Sequence, residues 1–162
     1  MLRLKEKIMK IRHVDSSVLI DGATGTGKEV VAQSLHYSGP RASGPFISLN
    51  CSAIPGNLLE STLFGTEKGS YTGAISKKGF FELADHGTLF LDEINSLDIS
   101  LQSKILKAIE EKLIWHIGGH EGIPVDVRII AAINEPPFQA IEEGRLRSDL
   151  FYRLNVLSLI HI

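Results

Sequence analysis

The sequence predicts a parallel α/β fold, a sheet of about five strands with helices on both faces. Three observations carry this expectation. Ser17-Val18-Leu19-Ile20-Asp21 is an apolar run of strand character, and the glycine loop Gly22-Ala23-Thr24-Gly25-Thr26-Gly27-Lys28 follows it directly. Glu29 to His36 then has helical spacing, which completes a strand–loop–helix unit. Further along, Gly87-Thr88-Leu89-Phe90-Leu91-Asp92-Glu93 is an unbroken apolar run ending in two acids, the pattern of a strand buried on both faces of a parallel sheet.

Composition bounds the rest. The 162 residues suffice for one domain with a substantial core, and a 43% hydrophobic content fits an α/β protein. A net charge of −2 gives no sign of a surface built to coat nucleic acid. The single cysteine, Cys51, excludes an internal disulfide and reads as a buried free thiol at the end of an apolar run. No apolar segment approaches the roughly 18 residues of a membrane span. Met1-Leu2-Arg3-Leu4-Lys5 lacks the apolar core of a signal peptide, so a cytoplasmic protein with no membrane partner is expected.

Taken in order, Met1 to His13 carries Leu4, Ile8 and Ile11 at helical spacing among basic residues. After the first strand, loop and helix, Ser38 to Pro45 is a loop by composition, and Phe46-Ile47-Ser48-Leu49 is a short strand ending at Asn50. Pro55-Gly56-Asn57 opens a helix through Phe64. Gly65 to Gly79 breaks the helical pattern without a strand pattern, and Phe80 to Ala84 resumes a helix. This glycine-rich stretch is either a plain connector or a loop projecting from the body. Asp98 to Lys112 is an amphipathic helix with Leu101, Ile105, Leu106 and Ile109 on one side. Trp115 to Pro124 reads as a hairpin or loop insertion. His116 and His120 within it are four apart, but the intervening glycines favour a solvated loop over a metal pair. Val125 to Ala132 is a fourth strand reaching Asn134, Pro136-Pro137 starts a helix through Ile141, and Leu154 to Ile160 is the last strand.

The chemistry gathers at two strand ends. Glycines let a loop turn its backbone N–H groups toward one point, and the following helix aims its positive end at the same anion. With Lys28 adding a full charge, residues 22–28 form a phosphate cradle, the alternative being a glycine-rich turn without a ligand. The next residue is Glu29 rather than Ser or Thr, so a Mg²⁺ ion must lean on phosphates, water and an acid from elsewhere. In open α/β sheets ligands sit beyond the carboxyl ends of strands, where Asp92 and Glu93 fall. Asp92 is placed to hold Mg²⁺, and Glu93 to orient and deprotonate an attacking water. Asn134, at the next strand tip, is placed to sense a γ-phosphate. Arg145, Arg147 and Arg153 lie within nine residues, and their spacing alone suggests surface ion pairs with Glu142, Glu143 and Asp149.

Over nearly its whole length the chain resembles the central AAA+ ATPase domain of bacterial sigma-54-dependent transcriptional activators, the NtrC-like enhancer-binding proteins. In that family Glu commonly follows the phosphate-loop (Walker A) Lys, as Glu29 does here. Gly69-Ser70-Tyr71-Thr72-Gly73-Ala74 matches the family's G-A-F-T-G-A loop, and Leu89-Phe90-Leu91-Asp92-Glu93 matches its Walker B strand. The resemblance implies ATP and Mg²⁺ as cofactors, and ATP hydrolysis coupled to opening of promoter complexes of sigma-54 RNA polymerase holoenzyme. It makes Gly69 to Ala74 the sigma-factor contact and Asn134 a sensor. Asn50 becomes a switch that holds Glu93 between cycles. Arg147 and Arg153 become fingers reaching into a neighbouring subunit, in a ring that is commonly a hexamer. DNA would be bound through a domain outside this chain.

Three residues depart from the family pattern. Tyr71 and Leu146 each stand where Phe is usual, and Ile133 stands where Thr precedes the sensor. Members also carry a helical lid after the last strand and adenine contacts upstream. Neither is recognised here, so residues 1–162 are expected to be a truncated α/β subdomain. Two other functions share part of the pattern. Another AAA+ remodeller, such as a helicase loader or chelatase motor, would need the loop and acids but not Gly69 to Ala74. A degenerate nucleotide-binding module would not need Lys28, Asp92, Glu93 and Arg147 together.

Overall fold

The computed structural model of the chain describes residues 2–155 and 159–162. Its elements run α1 (Leu2–Ile11), β1 (Val18–Asp21), α2 (Lys28–Tyr37), β2 (Phe46–Asn50), α3 (Gly56–Phe64), α4 (Phe80–Leu83) and β3 (Thr88–Asp92). A 3₁₀ turn (Ile94–Ser96) leads into α5 (Ile99–Glu111), and then come β4 (Leu113–Ile114) and β5 (Ile123–Pro124). The chain continues through β6 (Arg128–Ile133), α6 (Pro137–Glu142), α7 (Ser148–Leu154) and β7 (Leu159–His161).

Five of these strands form one parallel sheet in the order β2-β3-β6-β1-β7. Side chains alternate between the faces of a strand, so each strand feeds two cores. Val18, Ile20, Phe90, Ile130 and Ala132 meet α2 through Val31, Ala32 and Leu35, with Leu4, Ile8 and Ile11 of α1 packed against them. On the other face, Leu19, Leu89, Leu91, Ile129 and Ala131 meet Leu59 and Leu63 of α3, Ile105 of α5 and Phe151 of α7. The parallel α/β fold with helices on both faces is therefore the one the sequence predicts.

Two boundaries differ from the sequence reading, and both follow from where backbone groups are satisfied. The strand expected from Val125 begins at Arg128. Before it, the Val125 N–H donates to Lys112 O, the Asp126 N–H to Asp85 Oδ1, and Asp126 O accepts the His86 N–H, so these groups cannot join the ladder. The last strand, expected from Leu154, is seen as Leu159–His161, while Leu154 closes α7 with its side chain in the core. Val156 to Ser158, within that expected strand, lie outside the described residues.

The two insertions share a base. Thr66 and Lys77 exchange backbone bonds of 2.9 Å, the Glu67 N–H donates to Ile117 O at 3.0 Å, and the Ile117 N–H donates to Gly65 O at 2.9 Å. β4 and β5 pair antiparallel, so Trp115 to Pro124 is the hairpin one sequence reading offered. The reading of His116 as part of a solvated loop is corrected. Its side chain is only 10% exposed, with Nδ1 at 2.7 Å from Glu67 Oε1 and Nε2 against Glu82 Oε1. Two carboxylates converging on one imidazole draw it inward, which glycine spacing alone cannot reveal. Among the described residues no group of His, Cys, Asp and Glu is arranged to hold a metal ion.

Candidate nucleotide site and contact loop

The parallel register brings the expected site residues to neighbouring strand ends. Asn50 pairs with Asp92, and Asp21 with Ile133, while the Gly22 N–H donates to Ile133 O at 3.2 Å. The glycine loop thus starts beside the tip carrying Asn134. Gly25 and Gly27 take φ values of 82° and 87°, which a side chain would strain, and added Cβ atoms there would meet nothing within 4 Å. Gly27 is also the N-cap of α2 and no side chain caps the first turn, so its N–H groups are available to an anion. Lys28 is buried, and its Nζ donates to Gly22 O at 2.8 Å and Ala23 O at 2.9 Å, which fixes the ammonium at the loop. Thr26 Oγ1 also donates to Ala23 O, while Thr24 and Glu29 are exposed. An open glycine cradle, an uncapped helix start and a held cation together fit a phosphate chain.

At the end of β3 the chain turns sharply. Glu93 adopts a left-handed conformation with φ 52°, uncommon for a residue with a side chain, and Asp92 Oδ1 accepts its N–H at 2.9 Å. Burial lifts the Asp92 carboxyl above its usual range. The Glu93 N–H and the Lys28 charge oppose that rise, and the charges of Glu93 and Glu29 add to it. Asp92 thus offers one carboxylate, an oxygen donor of the kind a hard divalent cation takes, in the field of Lys28, Glu93 and Glu29. Cys51 lies just behind. Its N–H donates to Asp92 O at 3.0 Å, and burial, then the charges of Asp92 and Glu93, push its thiol up to about 12. The expected buried thiol is thus found.

The other expected residues lie around this centre. Asn50 Oδ1 accepts from the Ser52 N–H at 2.9 Å and from the Ser52 hydroxyl at 2.8 Å, so its oxygen is engaged locally rather than with Glu93. Asn134 Oδ1 accepts from Asn95 Nδ2 at 2.9 Å. Arg147 and Arg153 leave α7 at opposite ends. Arg147 pairs with Asp149 at 2.9 Å, and Arg145 pairs with Glu143 and Glu135, so two of the three acids expected for surface pairing are used. Arg153 lines a cavity of about 210 Å³ with Asp15, Arg41 and Arg128, where β6 begins. No hydrogen bond of either finger candidate leads to residues 22–29 among the described residues. Gly69 to Ala74 forms a tight turn, with the Ala74 N–H donating to Tyr71 O at 3.0 Å. Tyr71 is 54% exposed, and Thr72 and Gly73 are exposed beside it.

The residues that sequence reasoning missed are Asn95, Gln102 and Glu135. Gln102 had a readable signal, a polar residue one turn from Leu106 on the apolar stripe of α5. Asn95 and Glu135 had none, since each looks like a polar loop residue until the sheet brings the two tips together.

A family model described as the sigma-54 interaction domain matches residues 1–160. The transcriptional activator RocR of Bacillus subtilis is 54% identical over 155 residues, covering 96% of this chain and 34% of RocR. NtrX of Brucella abortus, solved in complex with ATP, superposes with a TM-score of 0.91 at 35% identity, over 100% of this chain and 35% of NtrX. The P-loop NTPase domain of an Escherichia coli sigma-54 activator has a TM-score of 0.64 at 19% identity, over 99% of this chain and 90% of that one, which shows the shared fold. The chain spans about a third of the length of the curated relative RocR. With a glycine loop, a paired-acid strand end and a glycine-flanked turn on one parallel α/β body, the chain belongs to the sigma-54 interaction domain family.

Proposed function

We propose that this domain hydrolyses ATP to remodel sigma-54 RNA polymerase, driving a closed promoter complex open. The observation that carries the reading is the pairing of a phosphate-fitting site with the Gly69–Ala74 turn, exposed at Tyr71, Thr72 and Gly73, in a chain of this family. The ATP complex of the related NtrX supports ATP as the nucleotide. Residues 22–29 bind the phosphates through backbone N–H groups and Lys28. Asp92 would hold Mg²⁺, which would supply charge neutralisation for the phosphates. Glu93 takes the proton of the attacking water, Asn134 senses the γ-phosphate, and Asn50 engages Glu93 at another stage of the cycle. Arg147 and Arg153 act on a neighbour's ATP, which requires a ring, with a hexamer the expected size. Arg147 bonds to Asp149 and Arg153 lines the cavity where β6 begins, so among the described residues neither is tied up at its own residues 22–29, which leaves both free to act in trans. DNA is held by another part of the protein, and the work takes place in the cytoplasm, where polymerase and promoter are.

Tyr71 and Thr72 offer the polymerase a large ring with a polar edge and a hydroxyl. In the complete protein, Thr72→Ala is expected to retain ATP turnover while losing sigma-54 holoenzyme binding in the presence of ADP and aluminium fluoride. Unchanged open-complex formation by Thr72→Ala would make the loop a connector and leave a remodelling ATPase with another target.

A further inference from the structure

Gln102 is completely buried on α5, yet its amide serves no group within its own helix. Its Nε2 donates to Leu97 O at 3.0 Å and to Arg145 O at 2.8 Å, and its Oε1 accepts the Arg147 N–H at 2.9 Å. Leu97 ends the 3₁₀ turn that leaves Glu93, and Arg145 and Arg147 are the residues that enter α7. One amide therefore joins the backbone leaving the paired acids to the backbone that carries the first finger candidate. A second link joins the same two segments through the tip of β6. Asn95 Nδ2 donates to both Asn134 Oδ1 and Glu135 Oε1 at 2.9 Å, and the Glu135 carboxylate accepts Nε and Nη2 of Arg145 at 2.8 and 2.6 Å. The chain of contacts runs from the 3₁₀ turn, through the candidate sensor, to the finger segment.

We propose that Gln102 is a positioning residue for Arg147, and that with the Glu135–Arg145 pair it ties a subunit's own sensor tip to the arginine it presents to its neighbour. A buried amide with both its donors and its acceptor used holds backbone in one arrangement, because any shift strands a polar group away from water. A change at Asn134 or along the 3₁₀ turn is therefore passed to the Arg147 segment rather than absorbed. The inference rests on the reading of Arg147 as a finger acting in trans.

The test uses the complete protein and mixed subunits. Gln102→Met keeps the bulk of the side chain and removes the amide. Its turnover at saturating ATP is expected to fall roughly 100-fold, the cost of a finger about 1 Å out of place, while KM for ATP stays near the parent value. Mixed with Lys28→Ala subunits it should recover turnover, because its intact phosphate loop then faces an intact Arg147. Mixed with Arg147→Ala subunits it should recover none, because neither supplies a working finger. Recovery with Arg147→Ala but not with Lys28→Ala would place the damage in the variant's own ATP site and overturn the proposal, as would parent-level turnover. Glu135→Gln, at the partly exposed end, provides the same reading if Gln102→Met loses nucleotide binding through misfolding. It should show a smaller loss in the same complementation class, and complementation of Arg147→Ala would again overturn the link. If Lys28→Ala and Arg147→Ala fail to complement each other in rings shown to form, the finger reading itself falls, and the role of Gln102 with it.

Discussion

The glycine loop at residues 22–28 and the Gly69–Ala74 loop are both glycine-bearing turns, yet they are held in different ways. In residues 22–28 the shape comes from backbone: left-handed glycines, a helix start, and a lysine bonded to the loop's own carbonyls. The Gly69–Ala74 loop, the proposed contact loop, takes its footing from another part of the chain, through backbone bonds to the β4–β5 hairpin and the grip of His116 on Glu67 and Glu82. The first loop is closed within its own seven residues, whereas the second depends in part on a titratable side chain from elsewhere in the chain. The first suits a ligand that must bind the same way each cycle, and the second suits a contact that is made and released.

The largest expected effect tests the first half of this contrast. In the complete protein, Lys28→Ala is expected to lose ATP binding while the contact loop keeps its footing, read by nucleotide titration and amide hydrogen exchange over residues 65–77. Glu93→Gln should retain binding and slow turnover by about 10²- to 10⁴-fold, the range of general acid–base catalysis. Parent-level turnover would remove Glu93 from the role of base.

A smaller effect tests the conditional half. A neutral imidazole has one N–H and can serve only one of two carboxylates, while an imidazolium serves both. Burial pulls the His116 proton affinity down most strongly of any single influence, but the bonds to Glu82 and Glu67 together outweigh it and raise its pKa above 6.5. A group whose pKa is raised on folding stabilises fully below its unfolded value and loses that contribution as pH rises through the folded one. Exchange protection over residues 65–77, corrected for intrinsic rates, should therefore fall above pH 6.5, by at most about tenfold per pH unit for one proton. His116→Arg, charged throughout this range, should flatten the profile. A flat profile in the parent protein would show that the backbone bonds suffice. The smallest effect is expected from Tyr71→Phe, which keeps the ring and should leave polymerase binding unchanged. A loss would mean that the phenol hydroxyl itself makes a contact.

The parts of the fold legible in the sequence were those whose pattern is long or unmixed. β3 is five apolar-rich residues closed by acids, and α5 repeats its stripe over 13 residues. α7 was missed because Leu150, Phe151 and Leu154 span little more than one turn among arginines that read as charge. At the site, the glycine loop and acids were legible because their chemistry is local in sequence. His116 with Glu67 and Glu82, or Gln102 with Arg145 and Arg147, are separated by 34 to 49 residues, and only the packed sheet brings them together.

Cys51 gives the domain an experimental opening. Its thiol is 1% exposed and is held protonated at neutral pH, the reverse of what alkylation or oxidation requires. The chain's one native sulfhydryl is therefore silent toward maleimide dyes. A cysteine introduced at exposed Ile75, beside Gly69–Ala74, would carry a fluorophore without competing background from this chain and report whether that turn moves when nucleotide is added.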